Sequence, residues 1–423
     1  MEDYNESMAV EKALSVLPPI YAVGTNWFAY ENGVWKPTTY HIYRPDVRSI
    51  LPEKFRKQSK ISVILKHIES IHQISDSAFK SFYTTSGNAI LINVKNGMVK
   101  VEGNSAILVP HDKNLNFTRQ VDASYNPSAT CPIFHRTVGE ALPDELDRRL
   151  LQLFIGSTLL PSSKFEATLF CYGPTGNGKS TVSEAALSFF NNTLIEHISM
   201  ANLCNKNGYY TPLLKDVAVN LGTELDASAV GESGIYKTLV SGESMAARAI
   251  RGNPFTLTTT AKLMFLSNNL PSFKHGTEAE LRRMRFLHFN QVLTHKDVNL
   301  KHDLIQERDG IFLWAIQGLI QLLQLKEMPH GGGSSSAVHE RFAVRNDPFG
   351  RFIATRCRKN PDGYVLKSEL KKSLLNFYKE NGIPPVDDRL IVSKLLDSNP
   401  NLKETQPRLT GKKLRVINGI ELI

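Results

Sequence analysis

Residues 167–183, ATLFCYGPTGNGKSTVS, decide how this chain is read. The apolar run 167–172 predicts a buried strand. It stops at Gly173, and residues 173–180, GPTGNGKS, form an unbroken G-x-x-x-x-G-K-S phosphate loop. Gly173, Pro174, Thr175, Gly176, Asn177 and Gly178 make a backbone able to turn its N–H groups around phosphates. Lys179 is placed to reach the β and γ phosphates, and the Ser180 hydroxyl to hold Mg²⁺. Thr181 follows in a predicted helix, 181–190, whose positive end faces the same anion. Strand, loop and helix in this order imply a site for a nucleoside triphosphate with Mg²⁺.

The next elements extend that core. A short strand is predicted near 194–198, and another at 217–221 that runs into Glu224 and Asp226. Residues 262–267, KLMFLS, predict a strand ending at Asn268, and 286–289 a strand preceded by Arg282, Arg283 and Arg285. Such ordered parts suit a parallel α/β sheet. Hydrolysis needs an acid to position water and help hold Mg²⁺; Glu224 is the first candidate and Asp226 the second. The Asn268 amide is placed to polarise water or sense the γ phosphate. The arginines are candidates to act on a neighbouring subunit's transition state. Between these strands, residues 235–257 carry Lys237, Arg248 and Arg251, read as a basic hairpin able to follow a nucleic-acid backbone. Residues 311–325 predict an apolar helix packed on the core.

Upstream, residues 27–35, WFAYENGVW, predict an aromatic hairpin turning at Asn32-Gly33, for which packing is preferred to base stacking. Ile61, Ile64, Leu65, Ile68 and Ile71 recur at helical spacing. Residues 89–101 predict a second hairpin turning at Asn96-Gly97, and a small α/β domain ends near Asn126-Pro127. Leu146, Leu150 and Phe154 share one face of a helix with Pro143 in its first turn.

The 423 residues suit two to four domains, and 41% hydrophobic with 22% charged residues describe an ordinary globular chain. No run reaches the length of a membrane span. The acidic start, MEDYNES, is neither a secretory signal nor a transit peptide, so the cytoplasm is expected. Cys131, Cys171, Cys204 and Cys357 stand far apart and imply neither zinc nor disulfides. The net charge of +9 is concentrated late: from Arg345 onward there are 16 Lys+Arg and 9 Asp+Glu. Residues 328–337, MPHGGGSSSA, have the composition of a flexible linker. Beyond it, helices at 349–358, 368–380 and 387–398 and a hairpin at 408–416, with Lys412 and Lys413 at its turn, predict a winged helix that binds DNA.

Taken together, GPTGNGKST, VAVNLGTELD, KLMFLSNNLP, ELRRMRFLHF and ERDGIFLWAIQGL resemble the superfamily III helicases, AAA+ ATPases of viruses, phages, plasmids and mobile islands. The nearest type is the phage/plasmid primase–helicase, related to the poxvirus primase–helicase. NWFAYENGVWKP and the segment through LLQLFIGSTLL resemble the domain that precedes that ATPase, so residues 20–325 are covered. The resemblance implies a homo-hexamer that hydrolyses ATP and translocates on DNA. It makes 173–180 the Walker A loop, Glu224 the Walker B acid and Asn268 the sensor. Arg283 best matches the arginine finger and Arg282 is next. Arg251 lies near the tip of the hairpin that grips single-stranded DNA, where some viral members carry Lys-His. The division implied is 1–130 helicase-associated, 131–328 AAA+ core, 329–344 linker and 345–423 winged helix. Partners implied are single- and double-stranded DNA, a replication origin and host replication proteins. About 20 residues precede the helicase-associated domain, and primer synthesis is not expected of this chain. The alternatives are an origin-binding ATPase used as an assembly switch, or a translocase without unwinding activity.

Overall fold

The computed structural model describes residues 5–223, 233–270, 278–292, 299–383, 387, 390–409 and 412–423. The architecture is mixed α/β, with one five-stranded parallel sheet and several antiparallel ones. No helix among these residues is long and apolar enough to cross a membrane.

Helix α1 (Glu6–Val16) precedes strands β1 (Ile20–Val23), β2 (Asn26–Glu31) and β3 (Val34–Thr38). The first expected hairpin forms as read. Glu31 pairs with Val34, and Asn32 and Gly33 take φ of 49° and 85°, as a two-residue primed turn demands. Ile20, Ala22, Trp27 and Ala29 share a core with α1, α2 (Arg44–Ile50) and α3 (Gln58–Ile71). Both indoles are 1% exposed. Trp27 Nε1 donates to Glu69 (2.8 Å) and Trp35 Nε1 to the Lys113 carbonyl (2.9 Å), which matches packing rather than base stacking. Ile71 ends the apolar stripe of α3 exposed.

Strands β4 (Tyr83–Ser86), β5 (Ala89–Val94), β6 (Gly97–Glu102) and β7 (Ser105–Val109) form an antiparallel meander. Its β5–β6 turn falls at Lys95-Asn96, one residue before the expected Asn96-Gly97, because Val94 pairs with Gly97. A distant contact sets that register. Asn96 exchanges hydrogen bonds with the Tyr125 backbone at 3.0 and 2.9 Å, which holds it in the loop. Ile92, Val99 and Val101 join the same core as Leu150, Phe154, Leu169 and Phe312.

Helices α4 (Pro132–Ala141) and α5 (Glu145–Ser157) lead into β8 (Thr168–Tyr172). Asp144, not Pro143, begins α5 as its N-cap, and Leu146 is exposed while Leu150 and Phe154 are buried. Then follow α6 (Lys179–Ala186), β9 (Ile195–Glu196), α7 (Met200–Leu203), β10 (Val219–Thr223), α8 (Ser233–Ser241), β11 (Met245–Ala247), β12 (Phe255–Leu257), β13 (Lys262–Ser267), α9 (Glu278–Leu281) and β14 (Met284–His288). The parallel sheet runs β14-β8-β13-β10-β9. Strands β8 and β13 are near-continuous buried runs because both faces are covered. Leu169, Cys171, Met264 and Leu266 share one core with α5, α6, α10 (Leu300–Gln306) and α11 (Arg308–Leu323). On the other face Phe170 stacks with Phe265 (5.5 Å) and Phe286 (5.3 Å), beside Tyr236 of α8 and Phe342 of α12 (Gly333–Asn346).

The linker expected at 328–337 is instead part of the fold, since α12 begins within it. Gly332 N–H donates to Asp147 Oδ1 (2.8 Å) and Gly333 N–H to Asp144 Oδ2 (3.0 Å). Two carboxylates from the start of α5 thus satisfy the first donors of α12. Ser335 is buried, and its hydroxyl accepts from His288 N–H at 2.9 Å. Composition pointed to a tether because these partners lie nearly 190 residues away in sequence.

The last unit contains α13 (Pro348–Arg356), β15 (Cys357–Leu366), α14 (Lys367–Glu380), α15 (Ile391–Ser398), β16 (Lys403–Thr405), β17 (Arg408–Leu409), β18 (Lys412–Lys413) and β19 (Val416–Leu422). Phe352, Leu370, Leu374, Ile391, Leu395, Ile417 and Ile420 form its core. An antiparallel sheet runs β15-β19-β16. Lys412 and Lys413 pair with Leu409 and Arg408, so they occupy the returning strand and not the turn. All four cysteines are buried and free.

Candidate nucleotide site and nucleic-acid face

The phosphate loop starts where β8 ends, at the edge of the sheet where β13 and β14 also end. Tyr172 pairs with Ser267 on one side and His288 on the other. Gly173 N–H donates to the Ser267 carbonyl at 3.1 Å. Its φ of 152° and the Phe289 carbonyl beside its Cα leave no room for a side chain, so glycine is required. Asn177 is buried and donates to that same carbonyl at 3.0 Å, which fixes the middle of the loop. Gly178, at φ 80°, turns the chain into α6, whose first residue is Lys179. The helix therefore starts two residues earlier than the expected Thr181.

Lys179 folds back into the loop and is 8% exposed. Its three protons have three acceptors: the Gly173 carbonyl (2.6 Å), the Pro174 carbonyl (2.6 Å) and Asn268 Oδ1 (3.0 Å). Desolvation holds its pKa below the usual lysine value. The other end of the Asn268 amide donates to Thr175 Oγ1 at 3.1 Å. The structure thus brings together Lys179, Asn268 and Thr175, read from sequence stretches some 90 residues apart. Ser180 is exposed one residue into α6, and Thr181 lines an open cavity of about 800 Å³ along that helix. Glu224 and Asp226 lie outside the described residues; β10 ends at Thr223, paired with Leu266 of β13.

The arginines sit elsewhere. Met284 pairs with Thr168, so Arg282 and Arg283 are at the opposite end of the sheet from the loop. Five residues of strand separate the two ends, about 16 Å. Arg283 is 7% exposed, donating to Glu166 Oε2 (2.7 Å), Ser241 Oγ (3.0 Å) and the Ala279 carbonyl (2.8 Å). Arg285 is buried against the carbonyls of Arg282, Met284, Met328 and Pro329. The Arg282 side chain is 64% exposed and lies 3.8 Å from Glu166.

Of the basic stretch 235–257, only its second half is a hairpin. Lys237 lies on α8, 3.2 Å from the Glu280 carboxylate. Arg248 and Arg251 are exposed on the turn joining β11 to β12, where Arg248 Nε donates to the Gly252 carbonyl (3.0 Å) and Arg251 has φ 60°. Ile250 between them is 72% exposed. Lys412 and Lys413 are exposed on β18.

Two features escaped the sequence. Tyr172 stacks on His288 (5.4 Å between centroids), and Arg341 of α12 lies 5.7 Å from the Tyr172 ring and donates to its hydroxyl at 3.3 Å. Glu166, bound to the arginines, gave no signal because a lone carboxylate before a strand is ordinary. Among the described residues no group of three or more His, Cys, Asp or Glu side chains could hold a metal. A hydroxyl on the first turn of α6 beside a phosphate loop does fit Mg²⁺ carried on a nucleotide.

Residues 19–143 match the family described as D5 N terminal like, and residues 171–283 match a family of unknown function, DUF5906. No curated protein matches the sequence. The fold is similar to that of the NrS-1 C terminal region. Two of its apo structures share 11% identity with this chain at a TM-score of 0.57, covering 99% of this chain and all of theirs. A further apo structure gives 10% identity and a TM-score of 0.53 over the same coverage.

Proposed function

We propose that this chain is an ATP- and Mg²⁺-dependent DNA helicase of the superfamily III, AAA+ type, acting as a homo-hexamer in the replication of a phage, plasmid or mobile island. The observation that carries this reading is the contact of Lys179 with Asn268, a phosphate-loop lysine meeting the polar tip of the neighbouring strand. The insertion of β13 between the loop strand β8 and strand β10, which precedes Glu224 in sequence, supports an AAA+ core. The D5 N-terminal-like match supports the phage primase–helicase type. Three helices with a small antiparallel sheet support a C-terminal winged helix for double-stranded, origin DNA.

The chemistry follows from the side chains. Lys179 exchanges two loop carbonyls and Asn268 for the β and γ phosphate oxygens. Asn268, still tied to Thr175, is then free to direct its amide at the attacking water, which Glu224 orients. Bound Mg²⁺ supplies positive charge at the phosphates, with Ser180 and Glu224 as its protein ligands. Arg282, Arg283 and Arg285 reach the transition state only from a neighbouring copy, since each lies at the wrong end of its own sheet. Arg248 and Arg251 grip single-stranded DNA, with Lys237 at the base of the same insertion.

The test is ATP-dependent unwinding of a forked duplex by the purified chain, with Lys179→Ala alongside. Unwinding and hydrolysis by the wild type alone support the helicase. Lys179-dependent hydrolysis without strand displacement favours the assembly switch or the translocase. Hydrolysis retained by Lys179→Ala refutes the site.

A further inference from the structure

Glu166 has the geometry of a device rather than of a surface pair. It is a non-glycine residue at φ 37°, a left-handed conformation that costs free energy. The turn that carries it is closed by its own N–H donating to the Ser163 carbonyl at 2.9 Å. Its carboxylate meets two arginines unequally, Arg283 at 2.7 Å and Arg282 at 3.8 Å. Arg283 is buried and braced a second time by Ser241, the last residue of α8, four residues before the β11–β12 hairpin. Arg282 is 64% exposed. The Glu166–Arg282 contact, open to solvent on both sides, contributes little stability by itself, so Arg283 is the partner that fixes the carboxylate. Backbone strain at the residue that joins a buried arginine to an exposed one points to a task.

We propose that Glu166 is a positioning residue that presents Arg282 to the triphosphate bound by the next copy of this chain, with Arg283 as the fixed brace. The proposal rests on the ring-ATPase reading above. Its geometry is one-directional. Arg283 holds Oε2 at 2.7 Å and Arg282 lies 3.8 Å from the same oxygen, beyond hydrogen-bond reach, so the exposed Arg282 guanidinium keeps its donors available for phosphate oxygens. The Arg283–Ser241 contact passes the position of this arginine face to α8 and so to the foot of the hairpin. The exposed arginine, and not the buried Arg283 that best matched the motif, is the finger.

Steady-state hydrolysis by the 423-residue chain tests this. Glu166→Gln and Arg282→Ala should each lower kcat at least tenfold and leave KM for ATP within twofold, while Glu166→Asp restores part of kcat. Mixing Glu166→Gln with Lys179→Ala in equal amounts should recover activity. The Lys179→Ala copy offers an intact arginine face to the intact loop of its neighbour; about one quarter of the wild-type rate per subunit is expected for random, head-to-tail rings. A wild-type kcat for Glu166→Gln overturns the proposal. So does a loss that mixing does not restore, or a Glu166→Gln chain that no longer melts cooperatively, because the carboxylate is then purely structural. A wild-type chain without ATPase activity overturns the underlying reading instead, and is seen before any Glu166 variant is made.

Discussion

Two buried lysines sit at opposite ends of the parallel sheet and serve different ends. Lys179 lies in the phosphate loop, its protons shared among groups that a phosphate can replace. Lys262 opens β13, where its ammonium donates to the carbonyls of Ser162 (2.8 Å) and Thr260 (2.7 Å). Burial pushes the Lys262 pKa from 10.5 down to about 7. The folded chain therefore holds fewer protons than the unfolded chain between these two values, so stability rises with pH across that window. The slope for one proton is at most about 1.4 kcal/mol per pH unit. Melting of wild type and Lys262→Met should thus diverge in favour of the wild type between pH 7 and pH 9. Parallel Tm curves mean that Lys262 does not titrate in this range.

At the scale of elements, Asp144 joins two helices. One oxygen caps α5 through Leu146 N–H at 2.9 Å and the other receives Gly333 N–H at the start of α12. Each cap contributes about 1 kcal/mol, so Asp144→Ala should cost about 2 kcal/mol, or about 4–8 °C in Tm, whereas Asp144→Asn keeps one acceptor and should lose about half of that. The β11–β12 hairpin gives a functional counterpart. Arg251→Gly removes the guanidinium without opposing φ 60°, so any effect comes from the lost charge. Basal hydrolysis should remain within twofold while stimulation by single-stranded DNA disappears. Undiminished stimulation moves the DNA grip off this turn.

For the whole molecule, charge separates the duties. The segment from Arg345 onward holds a net +7 of the chain's +9. Lys412 and Lys413 stand exposed on β18 of that unit, far in sequence from the loop. Lys412→Glu together with Lys413→Glu should weaken duplex DNA binding and lower the slope of log K against log salt by about 2, with ATPase activity retained. An unchanged slope places duplex binding on another face.

The sequence by itself determined whatever depends on neighbours along the chain. It was enough for the strand–loop–helix of 167–183, the Asn32-Gly33 turn and the span of β13, because these rest on glycine conformations and local apolar runs. It also named Lys179 and Asn268 as members of one site. Only the tertiary structure decided where one residue's freedom depends on a distant partner. Asn96 took the second turn position instead of the first as it bonded the Tyr125 backbone, and a glycine-serine stretch became helix α12 because two carboxylates of α5 wait at its N-terminus. Three arginines within four positions were candidates in sequence, with Arg283 ranked first, yet Glu166 and a set of carbonyls hold two of them buried and leave Arg282 exposed. Local pattern fixes a backbone; the desolvation and pairing of a charge are settled only by what the fold packs against it.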